Sequence, residues 1–106
     1  MNTTSISDVP DEKTALVIDP KDNVAVVLAD LSKGDVCKVR IGDHMKAITA
    51  IEDIGFGHKI ALQMIGENES VLKYGEEIGK MKAAIEAGGW IHSHNMYCER
   101  GMKHER

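Results

Sequence analysis

The sequence predicts a mainly β domain, a small barrel or clip in which short strands are joined by tight turns. Segments rich in β-branched residues recur at roughly eight-to-twelve-residue spacing, and Gly and Asp separate them. The predicted strands do not alternate with helix-length segments, so the pattern does not indicate a βαβ fold. With 106 residues, the chain has the length of one domain.

The composition excludes several classes of protein. Hydrophobic residues make up 42% and charged residues 28%, which is typical of a folded globular domain. The net charge of −4 and the lack of a Lys/Arg cluster argue against nucleic-acid binding. Residues 24–29, the longest apolar run, are too few to span a membrane. The first residues lack the pattern of a secretory signal, so the sequence predicts a cytoplasmic protein whose Cys37 and Cys98 are unpaired.

The first two predicted strands are apolar and β-branched. Residues 14–18 form the first, which Asp19-Pro20 ends. Residues 24–29 follow a turn signal at Asp22-Asn23. They are too few and too uniformly apolar for an amphipathic helix, so they predict a buried strand.

Three further strands are bounded by turn residues. Residues 36–41 alternate in their second half and end at Gly42-Asp43. Residues 47–51 end at Glu52-Asp53, and residues 58–62 leave a loop in which glycine flanks Phe56.

The stretch from residue 76 to residue 87 is ambiguous. Ile78, Met81 and Ile85 have helical spacing, and Gly88-Gly89 would end a helix, so periodicity predicts one short helix. Residues 90–95 return to an extended, alternating pattern. We therefore predict a flexible arm at 1–13, a folded domain at 14–96 and a charged tail at 97–106.

The segment His92-Ser93-His94-Asn95 is the sharpest candidate for chemistry. On a strand, residues i and i+2 share a face, with Cα atoms about 6.5–7 Å apart. The two imidazoles could therefore bind one metal ion or share a proton-transfer site. Asn95 could bind a substrate hydroxyl or simply close the strand. The alternative is an exposed strand face without a function.

Two other segments carry candidate residues. His58 and Lys59 leave the glycine-flanked loop, where His58 could be a ligand or an acid/base and Lys59 could pair with a carboxylate. A hairpin corner with solvated side chains is the alternative. In Lys73-Tyr74-Gly75-Glu76, Glu76 could be a ligand or base, or only a charge at a helix start. Composition does not choose between these interpretations.

The joint order of several short segments is more specific than any one of them. They are DNVAV at 22–26, GHKIAL at 57–62, KYGE at 73–76, IG at 78–79, and HSHN at 92–95. This order resembles the SAF domain of the altronate/galactarate dehydratase family. That domain also occurs as the separate small subunit of related lyases, including sulfolactate sulfo-lyase.

The resemblance implies an SAF-type β-clip with short strands and at most one or two short helical turns. It makes 76–80 an extended segment and 84–88 a tight turn. The implied activity is that of a lyase subunit, which helps to remove water from sugar acids such as altronate or galactarate, or sulfite from sulfolactate, by β-elimination. A large dehydratase subunit is the implied partner, and a divalent metal, commonly iron (Fe²⁺), is the implied cofactor.

The resemblance also implies roles for individual residues. His58, His92 and His94 are expected to be catalytic, with His92 and His94 at the metal, and Lys59, Glu76 and Asn95 are expected to bind the substrate. The sequence departs from the family pattern at Gly55, where proline is usual, and at Met81-Lys82, where a small residue and threonine are usual.

Two functions are alternatives to that of a lyase subunit. One is a non-catalytic module that binds a sugar acid or docks a subunit, and the other is a purely structural domain.

Overall fold

A computed structural model describes residues 12–98, and these residues form strands and turns without a helix. The mainly β prediction is therefore confirmed. None of the described residues forms a helix that is long and apolar enough to cross a membrane. The predicted arm and tail lie almost entirely outside the described residues. The strands are β1 Lys13–Leu16, β2 Val24–Val27, β3 Val36–Ile41, β4 His44–Thr49, β5 Lys59–Ala61, β6 Ser70–Lys73, β7 Glu76–Met81, β8 Trp90–Ile91 and β9 Met96–Tyr97.

The strands form two sheets. Six of them make one sheet in the order β4-β3-β1-β2-β5-β8, and three make a second sheet in the order β9-β7-β6. Only β1 and β3 pair in parallel, whereas every other named pair is antiparallel. One apolar cluster belongs to the six-stranded sheet, whereas the second is shared by both sheets. The second cluster combines Val24, Ala61 and Ile91 of the six-stranded sheet with Val71 and Met81 of the three-stranded sheet. Both clusters consist mainly of Val, Ile, Leu and Ala.

The hairpin of β3 and β4 follows the predicted alternation in its first strand. Cys37 and Val39 are fully buried, while Arg40 points outward. Burial raises the pKa of the Cys37 thiol, and neither cysteine forms a disulfide, as predicted. The second strand begins at His44, three residues earlier than expected, because its edge position requires only backbone pairing with β3.

The prediction of a helix over 76–87, which rests on periodicity, is wrong. Residues 76–81 form β7, which pairs with β6 and β9 and confirms the extended segment that the resemblance implies. Gly79 is buried there, and a Cβ atom at this position would lie 2.7 Å from the carbonyl oxygen of Tyr97. The tight turn that the resemblance implies at 84–88 is present, since the Glu86 carbonyl accepts the Gly89 N–H at 3.0 Å. Ile85, just before this turn, pairs with Ile65 across an isolated bridge.

One turn recurs four times within residues 12–98. Each copy follows a buried aliphatic residue, and these residues bridge in two pairs, Leu31 with Ile54 and Ile65 with Ile85. The first carbonyl of each turn accepts the fourth N–H at 2.9–3.0 Å. The third residue has a positive φ, as a type II turn requires. These third residues are Gly34, Gly57, Asn68 and Gly88.

Asp22 and Asn23, which the sequence marks only as a turn, connect the two sheets. The buried Asp22 carboxylate accepts the N–H groups of Tyr74 and Gly75 at 3.0 and 2.8 Å. The Asn23 side chain accepts the Leu72 N–H at 2.8 Å and donates to the Ser70 carbonyl at 2.9 Å. These bonds tie the β6–β7 hairpin to the start of β2.

Candidate functional site

Four rings from two separated segments form a contiguous cluster, which we call the ring cluster: His58, Trp90, His92 and His94. The His58 and His92 rings stack with centroids 4.8 Å apart and planes 20° apart. The ring of His94 packs against Trp90 at 4.6 Å, and Trp90 lies 5.5 Å from His58. The structure therefore brings together all three histidines that the sequence singled out.

His58 is positioned by the second copy of the recurring turn. Its N–H donates to the Gly55 carbonyl at 3.0 Å, and its own carbonyl accepts the Val27 N–H at 2.9 Å. The backbone is thus fixed on both sides immediately before β5. The side chain then reaches the neighbouring strand β8, where Nδ1 accepts a hydrogen bond from Trp90 Nε1 at 2.9 Å.

His92 and His94 do not lie on a strand, so the predicted reason for their common face is wrong. The strand β8 ends at Ile91, and residues 92–95 form a turn in which the His92 carbonyl accepts the Asn95 N–H at 3.0 Å. The turn forms because the Asn95 side chain accepts the His92 N–H and donates to the Trp90 carbonyl, both at 2.9 Å. Turn geometry, rather than strand alternation, directs both imidazoles toward Trp90.

These hydrogen bonds bear on the role of Asn95. Its side-chain oxygen and one hydrogen of its amide nitrogen are used to close the turn, as the second interpretation of this residue anticipated. Glu76 is exposed on β7 and pairs in register with Lys73, and no contact joins it to the ring cluster within the described part of the chain. Of the expected substrate-binding residues, Asn95 thus bonds to the ring cluster at Trp90, whereas Glu76 does not contact the cluster within residues 12–98.

Charges of both signs lie at the ring cluster, since Lys59 acts on His92 and the Glu52 carboxylate accepts the backbone N–H of Trp90. Lys59 is half-buried, and burial, followed by the charge of Lys73, lowers the pKa of its ammonium group. Partial desolvation lowers the pKa of His92, and the charges of His58, Lys59 and His94 lower it further. No ion pair neutralises Lys59 among residues 12–98. The side of the cluster at Lys59 therefore suits an anionic ligand better than a cation.

The described residues offer few side chains that could bind the expected divalent metal. Within residues 12–98, no group of three or more His, Cys, Asp or Glu side chains could hold a metal ion. His58 offers no free Nδ1, because that atom accepts the Trp90 hydrogen bond. His92 and His94 are two donors, fewer than the three protein ligands of a catalytic zinc site. The described residues do not fit a complete metal site by themselves.

Sequence reasoning missed Trp90, which the other three rings all contact. The backbone N–H of Trp90 donates to Glu52 Oε2 at 2.8 Å, so Glu52 also supports the site. A signal existed: this is the single tryptophan of a chain with only 4% aromatic residues, and it stands two positions before His92.

The two departures from the family pattern differ in their surroundings. Gly55 does not need to be glycine for space, since an added Cβ atom would meet only Asp30 Oδ1, at 3.9 Å. Met81, in contrast, is fully buried and pairs with Met96 beside the turn at 92–95. The Lys82 N–H donates to the Asn95 carbonyl at 2.8 Å. Met81 and Lys82 are therefore joined to the turn at 92–95 and to the strand that follows it.

Comparison with known proteins identifies the family of the domain. The family described as the altronate/galactarate dehydratase SAF domain matches residues 13–99, which include both sheets and the ring cluster. The chain belongs to this family of SAF domains.

Individual relatives show two kinds of architecture. The chain is 42% identical over 83 residues to the altronate dehydratase of Bacillus subtilis (strain 168), a match that covers 78% of the chain and 16% of that relative. For the altronate dehydratase of Escherichia coli (strain K12), the identity is 43% over 74 residues, 70% of the chain and 14% of the relative. It is also 40% identical over 65 residues, 61% of its length, to the (2R)-sulfolactate sulfo-lyase subunit alpha of Paracoccus pantotrophus, of which 97% is covered. The domain thus matches a small part of long dehydratases and nearly all of a short subunit.

Proposed function

We propose that this chain is the small module of a lyase that acts on hydroxy acids, and that a large dehydratase-type chain supplies the rest of the active site. The observation that carries the proposal is the ring cluster beside Lys59 in a domain of this family. Altronate, galactarate and sulfolactate are the substrates to test, because the relatives are named for dehydration or sulfo-lysis of such acids. We place the reaction in the cytoplasm.

The chemistry of β-elimination explains why a cluster of imidazoles beside a lysine is useful. Removing the proton α to a carboxylate creates a dianionic, enolate-like intermediate, which positive charge and hydrogen-bond donors stabilise. Lys59 lies where it can attract the carboxylate of the acid. His92 and His94 are exposed, and an imidazole can exchange a proton with substrate near neutral pH. Glu76 and Asn95 remain candidates for orienting the acid.

What the described part of the domain holds supports the proposal of a second chain. The described residues contain no complete catalytic or metal-binding set, and the domain corresponds to 16% of the Bacillus subtilis dehydratase. A divalent metal, with Fe²⁺ as the expected ion, belongs to the proposal as a group held mainly by the large chain. His92 and His94 are the candidate donors from this side, and the metal would stabilise the negative charge of the intermediate.

The test is to assemble the chain with a large dehydratase-type chain, and to measure elimination from altronate, galactarate and sulfolactate together with the metal content. We expect activity and bound metal only in the complex. His92→Ala should lower turnover by about 100-fold, because proton transfer by a positioned side chain contributes on that order.

His44→Ala is the matched control, because His44 is an exposed histidine of β4 outside the ring cluster. It should leave turnover unchanged. A second candidate function, a docking module without a catalytic role, is favoured by the incomplete donor set. A complex that stays active and keeps its metal after both His92 and His94 are replaced would establish that role and refute ours.

A further inference from the structure

The hydrogen bond between Trp90 and His58 determines where His58 carries its proton. Trp90 Nε1 lies 2.9 Å from His58 Nδ1. An indole nitrogen always bears its hydrogen and can only donate, so Nδ1 must be the acceptor. A neutral imidazole that accepts at Nδ1 bears its hydrogen at Nε2. The hydrogen-bond network therefore assigns His58 to the Nε2–H tautomer.

Both partners of this hydrogen bond are held in place. The His92 ring stacks on His58 at 4.8 Å, so the imidazole is fixed at its face as well as at its edge. Trp90 is held by Glu52, which accepts its backbone N–H at 2.8 Å, and by Asn95, which donates to its carbonyl at 2.9 Å. His94 packs against the indole at 4.6 Å. The bond is thus part of a supported arrangement.

The tautomer restricts what His58 can do. A metal ligand and a general base each need a free nitrogen lone pair. In His58 the lone pair of Nδ1 is directed at the indole N–H, and Nε2 carries the hydrogen. What remains is one oriented N–H group, and a neutral imidazole that donates from such a group can stabilise a substrate oxygen.

We infer that Trp90 is a positioning residue that holds His58 as an Nε2–H hydrogen-bond donor, and that His58 binds an oxygen atom of an anionic hydroxy acid. In this arrangement His58 is neither a metal ligand nor the group that transfers a proton. The identity of the ligand rests on the proposed function, whereas the tautomer and its dependence on Trp90 do not.

The tautomer can be measured on the full-length chain by long-range ¹H–¹⁵N correlation spectra of the histidine rings. The sample is kept about two pH units above the ordinary imidazole pKa of about 6.5, so that the rings are neutral. We expect His58 to show a protonated Nε2 and an unprotonated Nδ1. A protonated Nδ1, or an even mixture of both forms, would overturn the assignment.

Two variants test the role of Trp90. Trp90→Phe keeps a ring in the cluster but removes the N–H donor, and His58 should then become a mixture of tautomers. Tyr97→Phe is the matched control, because it removes an aromatic donor that is bonded instead to Asn68 at 2.8 Å. The His58 spectrum should not change in this control. If His58 remains entirely Nε2–H in a folded Trp90→Phe protein, Trp90 does not set the tautomer.

His58→Leu provides a second readout that does not alter Trp90. The chain has one tryptophan and hence one indole N–H signal. We expect this signal to shift and to exchange faster with solvent once its acceptor is removed. An unchanged indole signal would overturn the proposed bond, whatever the behaviour of the Trp90→Phe protein.

Activity of the assembled complex then separates the donor role from the proposed function. The amide nitrogen of glutamine can replace Nε2–H, whereas that of asparagine lies nearer to the position of Nδ1. We expect His58→Gln to lose no more than about tenfold in turnover, and His58→Asn and His58→Leu to lose about 100-fold. Equal losses in all three refute the donor role. An inactive wild-type complex refutes the proposed function, while the spectra still decide the tautomer.

Discussion

His92 is an exposed imidazole whose neighbours make protonation unfavourable. Partial desolvation lowers its pKa, and the charges of His58, Lys59 and His94 act in the same direction. The unfolded chain has none of these neighbours, so its His92 keeps the ordinary pKa of about 6.5. The folded and unfolded states therefore bind different numbers of protons over part of the pH range.

This difference predicts how stability depends on pH. Between the lowered pKa of folded His92 and about pH 6.5, the unfolded state binds more protons, so the free energy of unfolding rises with pH. The contribution of His92 is fully present above about pH 6.5 and is lost as pH falls through the lowered pKa. Urea unfolding of the wild type and of His92→Gln at several pH values measures it. A difference between the two proteins that stays constant across this range would contradict the prediction.

Glu52 and Asn95 show that hydrogen bonds from a side chain to the backbone can decide the shape of a site. One holds the backbone N–H of Trp90, and the other closes the turn at 92–95. The sequence identified His58, His92 and His94 as a group because of their order in the family pattern. For Trp90 the sequence offered one signal, the single tryptophan two positions before His92, and for Glu52 it offered none, because these contacts join residues 32 and 38 positions apart.

Among the elements, the recurring turn explains why glycine is placed where it is. Gly34 and Gly88 have φ angles of +94° and +93°. Their surroundings differ, since a Cβ atom would meet nothing within 4 Å at Gly34 but would overlap the carbonyl oxygen of Thr49 at Gly88. Two otherwise matched positions therefore separate backbone strain from steric exclusion.

We expect Gly34→Ala to lower the free energy of unfolding by about 1–2 kcal/mol, the cost of a left-handed conformation for an L-residue. Gly88→Ala should cost more than about 4 kcal/mol, because the backbone of β4 must also move. Chemical denaturation of both variants measures the two values. Equal losses would show that Thr49 does not restrict this position.

The strand β7 shows why local periodicity predicted a helix. Gly79 and Met81 are buried by strand alternation, and Ile85 is buried separately in the next turn. The apolar spacing of Ile78, Met81 and Ile85 therefore resembles that of a helix face although two different elements produce it. In the structure, pairing with β6 and β9 distinguishes the two possibilities, in agreement with the extended segment that the family resemblance implies.

For the molecule as a whole, the bonds from Asp22 and Asn23 make the two sheets depend on each other. Asn23 contributes its own N–H to the Leu72 carbonyl at 3.2 Å, and its side chain makes two further bonds to β6. Its carbonyl accepts the Leu62 N–H at 3.0 Å, just after β5. A single residue thus contacts both sheets.

We expect Asn23→Ala to lower the free energy of unfolding by about 1–3 kcal/mol, because the partly buried Leu72 N–H loses its acceptor. Both sheets should still unfold in one transition. Asp43→Ala, at an exposed turn, is the control and should change the value by less than about 0.5 kcal/mol. A loss confined to signals from β6, β7 and β9 would show instead that the second sheet unfolds independently.

The amino-acid sequence by itself determined the β class, the approximate positions of the first five strands and the family. β-branched runs and turn residues act locally, so they can be recognised without knowing what a segment pairs with. The family resemblance implied the extended segment at 76–80 against the local periodicity, and the structure confirmed it. The tertiary structure alone decided the turn at 92–95, the link through Asn23 and the ring cluster around Trp90. Each of these depends on hydrogen bonds and packing between residues far apart in the chain, which no local pattern records.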